Sequence, residues 1–379
     1  MKNYFQYQFK KHLVPLAVLF FLGVILYVIP IAAENYSIWN SWVSELSRAP
    51  TEEMAEELLR KPPYIDLYLD NFFYVIPIMC AAMPIYTFAY KMSKRSADMY
   101  YSVPLNKTKL ATVHFIVGLA TVLAAHSAAY LLGFIVVATK VKGLHLIYYL
   151  WIYLASLIPA FCVYTVTAFF YTRANTVIDG IIFAVLALFA LGIVALAADH
   201  AIECATFEYG PLDWTHFLTL SPLLAVRDGL YDHIFKTDPT SYWANGDIFN
   251  DQLAGCIIIA VIAVGCTIGF FLAEKRGKAE NCGQVSESVF GYKLMIPLYT
   301  VAMFVSLTRT DTLWEEVGIE QSLLGWAAAV FCAFVMTIIY KRNIKIGKKT
   351  LILLTVSIAA GLVASIALLI AVRQLNPYA

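Results

Sequence analysis

Charge is what this chain has least of, and its placement matters as much as its scarcity. Only 14% of the 379 residues are Asp, Glu, Lys or Arg, and several long stretches carry almost none. With 60% hydrophobic residues, a water-soluble domain of this size would be covered in exposed apolar surface, so that class is excluded. Catalytic signatures are missing as well. There is no GxxxxGK[ST] phosphate loop, no HExxH and no GxSxG, so the chain is not expected to hydrolyse ATP by itself or to act as a common membrane protease or hydrolase. The seven cysteines are scattered: Cys80, Cys162, Cys256, Cys266 and Cys332 fall in apolar runs, Cys204 and Cys282 outside them. They give neither a disulfide framework nor paired metal spacing. No cofactor is implied, and a net charge of +1 does not point to nucleic acid. The N-terminus lacks the small-residue cleavage pattern of a secretory signal, so the first apolar run is expected to remain as an anchor.

What is present is a series of apolar runs, each about as long as a bilayer core is thick. Spans are expected at about 13–33, 71–90, 111–137, 146–170, 177–198, 253–272, 294–308, 321–340 and 350–372. The fold class is therefore all-α, a polytopic transmembrane helical bundle in a lipid bilayer. The seventh span is the shortest and could tilt or re-enter.

Charge placement orients the bundle. The N-terminus (Lys2, Lys10, Lys11), residues 91–110, Arg173, residues 273–293 and residues 341–350 hold 18 of the 27 basic residues. Residues 34–70, 199–252 and 309–320 hold 21 of the 26 acids. Basic loops stay cytoplasmic, which places the N-terminus inside and the acidic loops outside. An odd number of spans would leave the C-terminus outside.

The segments between spans carry further signals. KNYFQYQFKKHL alternates basic and aromatic residues and reads either as an amphipathic helix at the cytoplasmic interface or as ordinary positive flanking. TEEMAEELLRK, with Thr51 as cap and Pro62 and Pro63 as stop, reads as a short outer helix. WTHFLTLSPLLAV, broken by Pro222, reads as outer-leaflet helices or a re-entrant segment, and Leu220, Pro222 and Leu224 are its candidate gate over an exit pathway. The stretch KRGKAENCGQVSESVFGYK divides the chain into a six-span unit (1–272), a connector (273–293) and an accessory block of three spans (294–379).

Few polar groups lie within spans. His126, in AAHSAAY, reads as a hydrogen-bonded contact between helices, with His114 and Asp179 nearer span ends. Gly265 and Gly269 form a GxxxG that marks close helix packing. Asp199, His200, Glu203 and His216 can be drawn as an outer metal site, but nothing fixes their geometry and no metal is assigned. Trp39, Trp42, Trp214, Tyr242 and Trp243 fall where an interfacial aromatic belt is expected.

The loop after the second span is different. In KMSKRSADMYYSVPLNKTKL, Ser96 can cap a short helix that Pro104 ends, which would lay a helix across the cytoplasmic face. Asp98, Tyr100 and Tyr101 on such a helix suit docking into a groove of a soluble partner.

The run SADMYYSVPLNKTKL resembles the "SADLYHSLPISRKKL" type of segment in bacterial ABC transporter permeases of the type-2 superfamily, particularly those of low-GC Gram-positive bacteria. LTLSPLLAV is similar to that family's outer "LSP" segment, and KRGKAENCGQ to its "R-xx-E-x-A-G" stretch, so the resemblance covers about the first 290 residues. It implies a half-transporter in the bacterial plasma membrane, without enzymatic activity of its own. A separate cytoplasmic ABC ATPase would bind below, and a second permease copy or a sibling permease beside it. Carried over by position, Arg95, Ser96, Ala97, Asp98, Tyr100, Tyr101, Pro104 and Leu105 would form the ATPase-coupling helix. The function implied is export of a hydrophobic or amphipathic substrate such as a drug, antimicrobial peptide or lipid-like molecule. A secondary transporter and an integral membrane enzyme are the alternatives, the first disfavoured by the lack of a visible repeat.

Overall fold

The computed structural model describes residues 2–48, 51, 54, 70–138, 146–206, 246–275, 282–308, 318–342 and 347–375. Among them there is no strand, and the chain is an all-α polytopic membrane bundle. Helix α1 (Lys2–Lys11) meets α2 (Leu13–Gly23) at His12, and a π-turn at Val24–Val28 leads into α3 (Ile29–Arg48). Helix α4 (Asp70–Phe88) contains Pro77 and Pro84 and closes through a 3₁₀ turn, Ala89–Met92, onto the short α5 (Lys94–Tyr101). Then come α6 (Lys107–Ala138), α7 (Leu146–Tyr171), α8 (Val177–Thr206) and α9 (Gly246–Glu274). A second π-turn, Val289–Lys293, opens α10 (Leu294–Ser306), followed by α11 (Gly318–Lys341) and α12 (Lys348–Leu375).

Among the described residues, eight helical segments are long and apolar enough to cross a membrane, and a shorter apolar stretch, Ser156–Tyr171, completes α7. Their outward faces confirm which solvent they meet. Along the first span, from α2 through the π-turn to the start of α3, Val14, Val18, Phe21, Ile25 and Ile29 are exposed at spacings of three and four, as are Ile257, Val261, Val264, Ile268 and Leu272 on α9. Apolar stripes of that length would be untenable in water and are what hydrocarbon requires. Several serine and threonine hydroxyls in the spans are satisfied internally by donating one turn back, as Thr121 Oγ1 does to Val117 O and Thr300 Oγ1 to Ile296 O.

Inside, α4 lies against α6 and α7, α2 against α6, and α8 and α9 against α7. Buried aromatic rings fill the core, among them Tyr27, Phe88, Tyr164, Tyr171, Phe183 and Phe270. Tyr164 keeps its hydroxyl satisfied by donating to Phe115 O at 3.0 Å. The last three helices attach to α8 through α10, which packs between α8 and α12 and also touches α11, and through α12. Tyr299 of α10 donates to Leu186 O of α8 at 2.6 Å.

The seventh span starts earlier than its sequence suggests, because Gly291 and Lys293 lie within the apolar stretch Val289–Ser306 rather than ahead of it. A Cβ at Gly291 would stand 2.6 Å from a ring carbon of Phe183, so only glycine lets this turn approach α8. His126 is the interhelical contact expected: its Nε2 lies 3.0 Å from Ser156 Oγ of α7, and its ring stacks on Tyr153 at 5.8 Å. The GxxxG expectation needs correction in part. Gly269 sits against the Phe169 ring, but Gly265 has nothing within 4 Å where its Cβ would be, because it lies on the lipid-facing side of α9 between Val261, Val264 and Ile268. Of the proposed outer helix, only Thr51 and Met54 are described, and the Met54 amide donates to Thr51 Oγ1 at 3.4 Å as a capping threonine would accept it.

Candidate functional site: the basic end of the bundle

The segments that charge counting assigned to one side do meet in space. Lys11 Nζ donates to Tyr100 OH at 2.8 Å, joining the N-terminus to α5. Cys282 Sγ donates to Lys91 O at 2.7 Å and Ser286 Oγ to Arg173 O at 2.6 Å, joining the connector to the ends of α4 and α7. Burial, and then the nearby Asp98 carboxylate, push the Cys282 thiol up, which keeps it in the donor form. At the opposite end, His200 Nε2 pairs with Thr308 O at 2.6 Å and Trp326 Nε1 donates to Thr308 Oγ1 at 3.1 Å, so segments assigned to the acidic side also come together.

Helix α5 is short because Ser93 is extended and α5 ends at Ser102, whose amide bonds Asp98 O. Ser93, not Ser96, holds the N-cap position, and Pro104 follows the helix in a turn before α6. The helix has two unlike faces. Ala97 is fully buried and Tyr100 is 5% exposed, whereas Lys94, Arg95, Asp98 and Met99 face outward, Ser96 and Leu105 are half-buried, and Pro104 is exposed. Tyr100 is therefore not available to a partner, contrary to the sequence expectation. Its ring packs on Tyr90 at 4.4 Å and His114 at 5.4 Å, so it fastens α5 to the bundle. Among the described side chains of α5, the exposed apolar one is Met99, which the sequence reading passed over. Nothing is described of the Tyr101 side chain.

Beside α5 lies a buried ion cluster that sequence reading missed. Glu274, the last residue of α9 and 5% exposed, pairs with Lys91 through Oε2 and with Arg173 Nη2 at 3.5 Å through Oε1. The Lys91 ammonium also lies 5.3 Å from the Phe88 ring centre and 5.6 Å from that of Phe270. A carboxylate at a helix C-terminus is disfavoured by the helix dipole, and here two cations offset that cost. One carboxylate thus ties together the ends of α4, α7 and α9.

A second carboxylate ties in the last three helices. Asp179 is buried in the first turn of α8, where its amide bonds Thr176 Oγ1 and Thr176 Oγ1 donates to its Oδ2 at 2.8 Å. Arg342, just past α11, donates to the same Oδ2 at 2.7 Å, and Tyr292 OH donates to Oδ1 at 3.2 Å. A sequence signal for both acids existed. Asp179 and Glu274 stand on the basic side against the general charge asymmetry, and an acid in the wrong place at a span end is an acid with a partner.

Helix α1 also turns an unexpected face inward. Tyr4, Gln8 and His12, four residues apart, face the bundle, while Phe5, Tyr7 and Phe9 are exposed. Gln8 Nε2 donates to Tyr4 OH at 2.8 Å, and Tyr4 OH in turn pairs with His114 Nε2 of α6 at 3.0 Å. His12 Nδ1 donates to Gln8 O at 2.7 Å. Burial, only partly offset by that bond, pushes the His12 imidazole below its ordinary value, and Lys11 adds to the effect.

Among the described residues, no group of His, Cys, Asp and Glu could hold a metal, and His200 is engaged with Thr308. His216, Trp214, Tyr242, Trp243 and the proposed gate Leu220, Pro222 and Leu224 lie outside the described residues. No protein-family model matches the chain, and no curated protein or solved structure is significantly similar to it.

Proposed function

We propose that this chain is the membrane permease subunit of an ATP-driven exporter, resembling the type-2 ABC permeases, and that α5 couples it to a cytoplasmic ATPase. The observation that supports this reading most is the two-faced α5. It is anchored beneath by Ala97 and Tyr100 and presents Arg95, Asp98 and Met99 outward, the form of a rigid docking knob. Beside it, the Glu274 cluster links the ends of α4, α7 and α9, so a push on α5 from below would reach three spans through bonded groups. In this reading the basic end faces the cytoplasm of a bacterium, the substrate is hydrophobic or amphipathic, and a second permease copy or a sibling completes the pathway. The division at residues 273–293 would make the last three spans an accessory block docked on α8. The buried charges sit at span ends, which does not favour ion-coupled transport through mid-membrane carboxylates.

The test is affinity purification in mild detergent from the native host, with wild type beside Asp98→Arg/Met99→Ala. An ATPase subunit with a Walker motif should accompany the wild type. Its recovery should fall about tenfold in the variant, corresponding to about 1.4 kcal/mol of docking energy. Equal recovery, or no ATPase with either protein, removes the coupling assignment.

A further inference from the structure

The inward stripe of α1 closes over a cavity of about 330 Å³ between α1, α4, α5 and α6. Its lining carries one formal charge, the Lys11 ammonium, and no carboxylate. Four polar atoms of residues on that lining are buried without a hydrogen-bond partner: Gln8 Oε1, His12 Nε2, Thr87 Oγ1 and His114 Nδ1. Each parent residue is less than 5% exposed. Leaving such a group unsatisfied costs about 1–3 kcal/mol, so four together call for an occupant.

The hydrogen-bond directions say what kind. Tyr4 OH accepts from Gln8 Nε2, and a Tyr4 hydroxyl that gives its own hydrogen to His114 Nε2 sets the His114 proton on Nδ1. That free N–H is a donor. Thr87 and Ser96 each add a hydroxyl, and Lys11 keeps two N–H groups beyond the one given to Tyr100. His12, held below its ordinary value by burial and giving its Nδ1–H to Gln8 O, presents Nε2 as an acceptor beside Gln8 Oε1, so two acceptors stand against the donors of Lys11, Thr87, Ser96 and His114. A positively charged, donor-rich cavity selects an anion. Donors spread over four helices suit the several oxygens of a phosphate better than the two of a carboxylate. The rim includes Tyr86 and Met99, which are 46% and 59% exposed, and the neighbouring Leu13 faces the bilayer at 49%, so an acyl chain can leave the mouth along apolar surface.

We propose that this cavity is a binding site for a phosphate group, carried by a lipid headgroup of the leaflet at the basic end or by a soluble phosphate ester. The site stands on the cavity alone and holds whether or not α5 docks an ATPase.

Native mass spectrometry of the delipidated full chain in micelles tests this, with phosphatidylglycerol, diacylglycerol and glycerol 3-phosphate as separate probes. Phosphatidylglycerol should be retained one per chain and diacylglycerol should not. Lys11→Ala should weaken retention about tenfold, Thr87→Val should weaken it several-fold, Lys11→Arg should preserve it, and Lys349→Ala, in a different basic segment, should leave it unchanged. Binding of glycerol 3-phosphate with the same dependence on Lys11 and Thr87 assigns the soluble source and equally supports the site. Retention of diacylglycerol equal to that of phosphatidylglycerol, equal binding in Lys11→Ala and Thr87→Val as in wild type, or no binding of either phosphate probe overturns it.

Discussion

Replacing Glu274 with glutamine should do far more damage than its size suggests. The amide keeps the shape of the side chain but removes the one negative charge between two cations whose side chains are only 11% and 16% exposed. Lys91 and Arg173 would then be buried without that counter-charge and mutually repelling. Breaking a buried pair from one side typically costs about 3–5 kcal/mol, because the charge left behind has lost both water and partner. Loss of the anion would also loosen Lys91, whose backbone carbonyl receives the Cys282 thiol, so the connector should become more accessible. In a chain of this length a loss of that size should lower the melting temperature by about 4–6 °C, taking about 1.3 °C per kcal/mol. Lys91→Met should cost less, because Glu274 keeps Arg173. Thermal unfolding in detergent, followed by size-exclusion recovery of the two single variants and the double, gives the coupling directly. The double should cost less than the sum of the singles by at least about 1 kcal/mol. A Glu274→Gln protein that melts within about 1 °C of wild type, or a cycle that is additive, would show that the cluster bears no load.

Three further outcomes are expected. Gly291→Ala drives a methyl into the buried Phe183 ring and should destabilise the attachment of α10 to α8 by about 1–3 kcal/mol, read as a lower melting temperature that Phe183→Leu partly restores. Asp179→Asn weakens its bonds to Tyr292, Thr176 and Arg342, and limited trypsin digestion should then cut faster near Arg342 than near Arg95; an unchanged digestion pattern counts against a structural role for that carboxylate. Single cysteines placed at the exposed Lys94 and Lys348 should react with an impermeant maleimide from one side of the membrane, and one at Glu45 from the other. Labelling of Lys94→Cys and Glu45→Cys from the same side would overturn the arrangement of the first two spans.

The spans were legible because their cause is local. An apolar run such as that in α8 or α12 must be a lipid-facing helix whatever surrounds it. The grouping of Lys11, Lys91, Arg173 and Arg342 at one end was legible for the same reason, since charge asymmetry acts on each loop separately. What could not be read depends on rotation about the helix axis. Gly265 and Gly269 look alike in sequence, yet one meets the Phe169 ring and the other meets lipid. Tyr100 looks like a docking residue until the quarter-turn that buries it against Tyr90 is known. Likewise α1 has aromatics and polar residues in alternation, and only its packing on His114 shows that the polar stripe is the one turned inward.

That inverted α1 also sets an order of events during synthesis. The residue it leans on, His114, lies 110 positions beyond Tyr4, so α1 leaves the ribosome long before its partner exists. At about 5–20 residues per second, Tyr4 and Gln8 must wait roughly 5–20 s for that partner. Closure of the N-terminal helix is therefore a late step, completed only after α6 has formed, and a chain stalled before that point would keep its first helix unpacked.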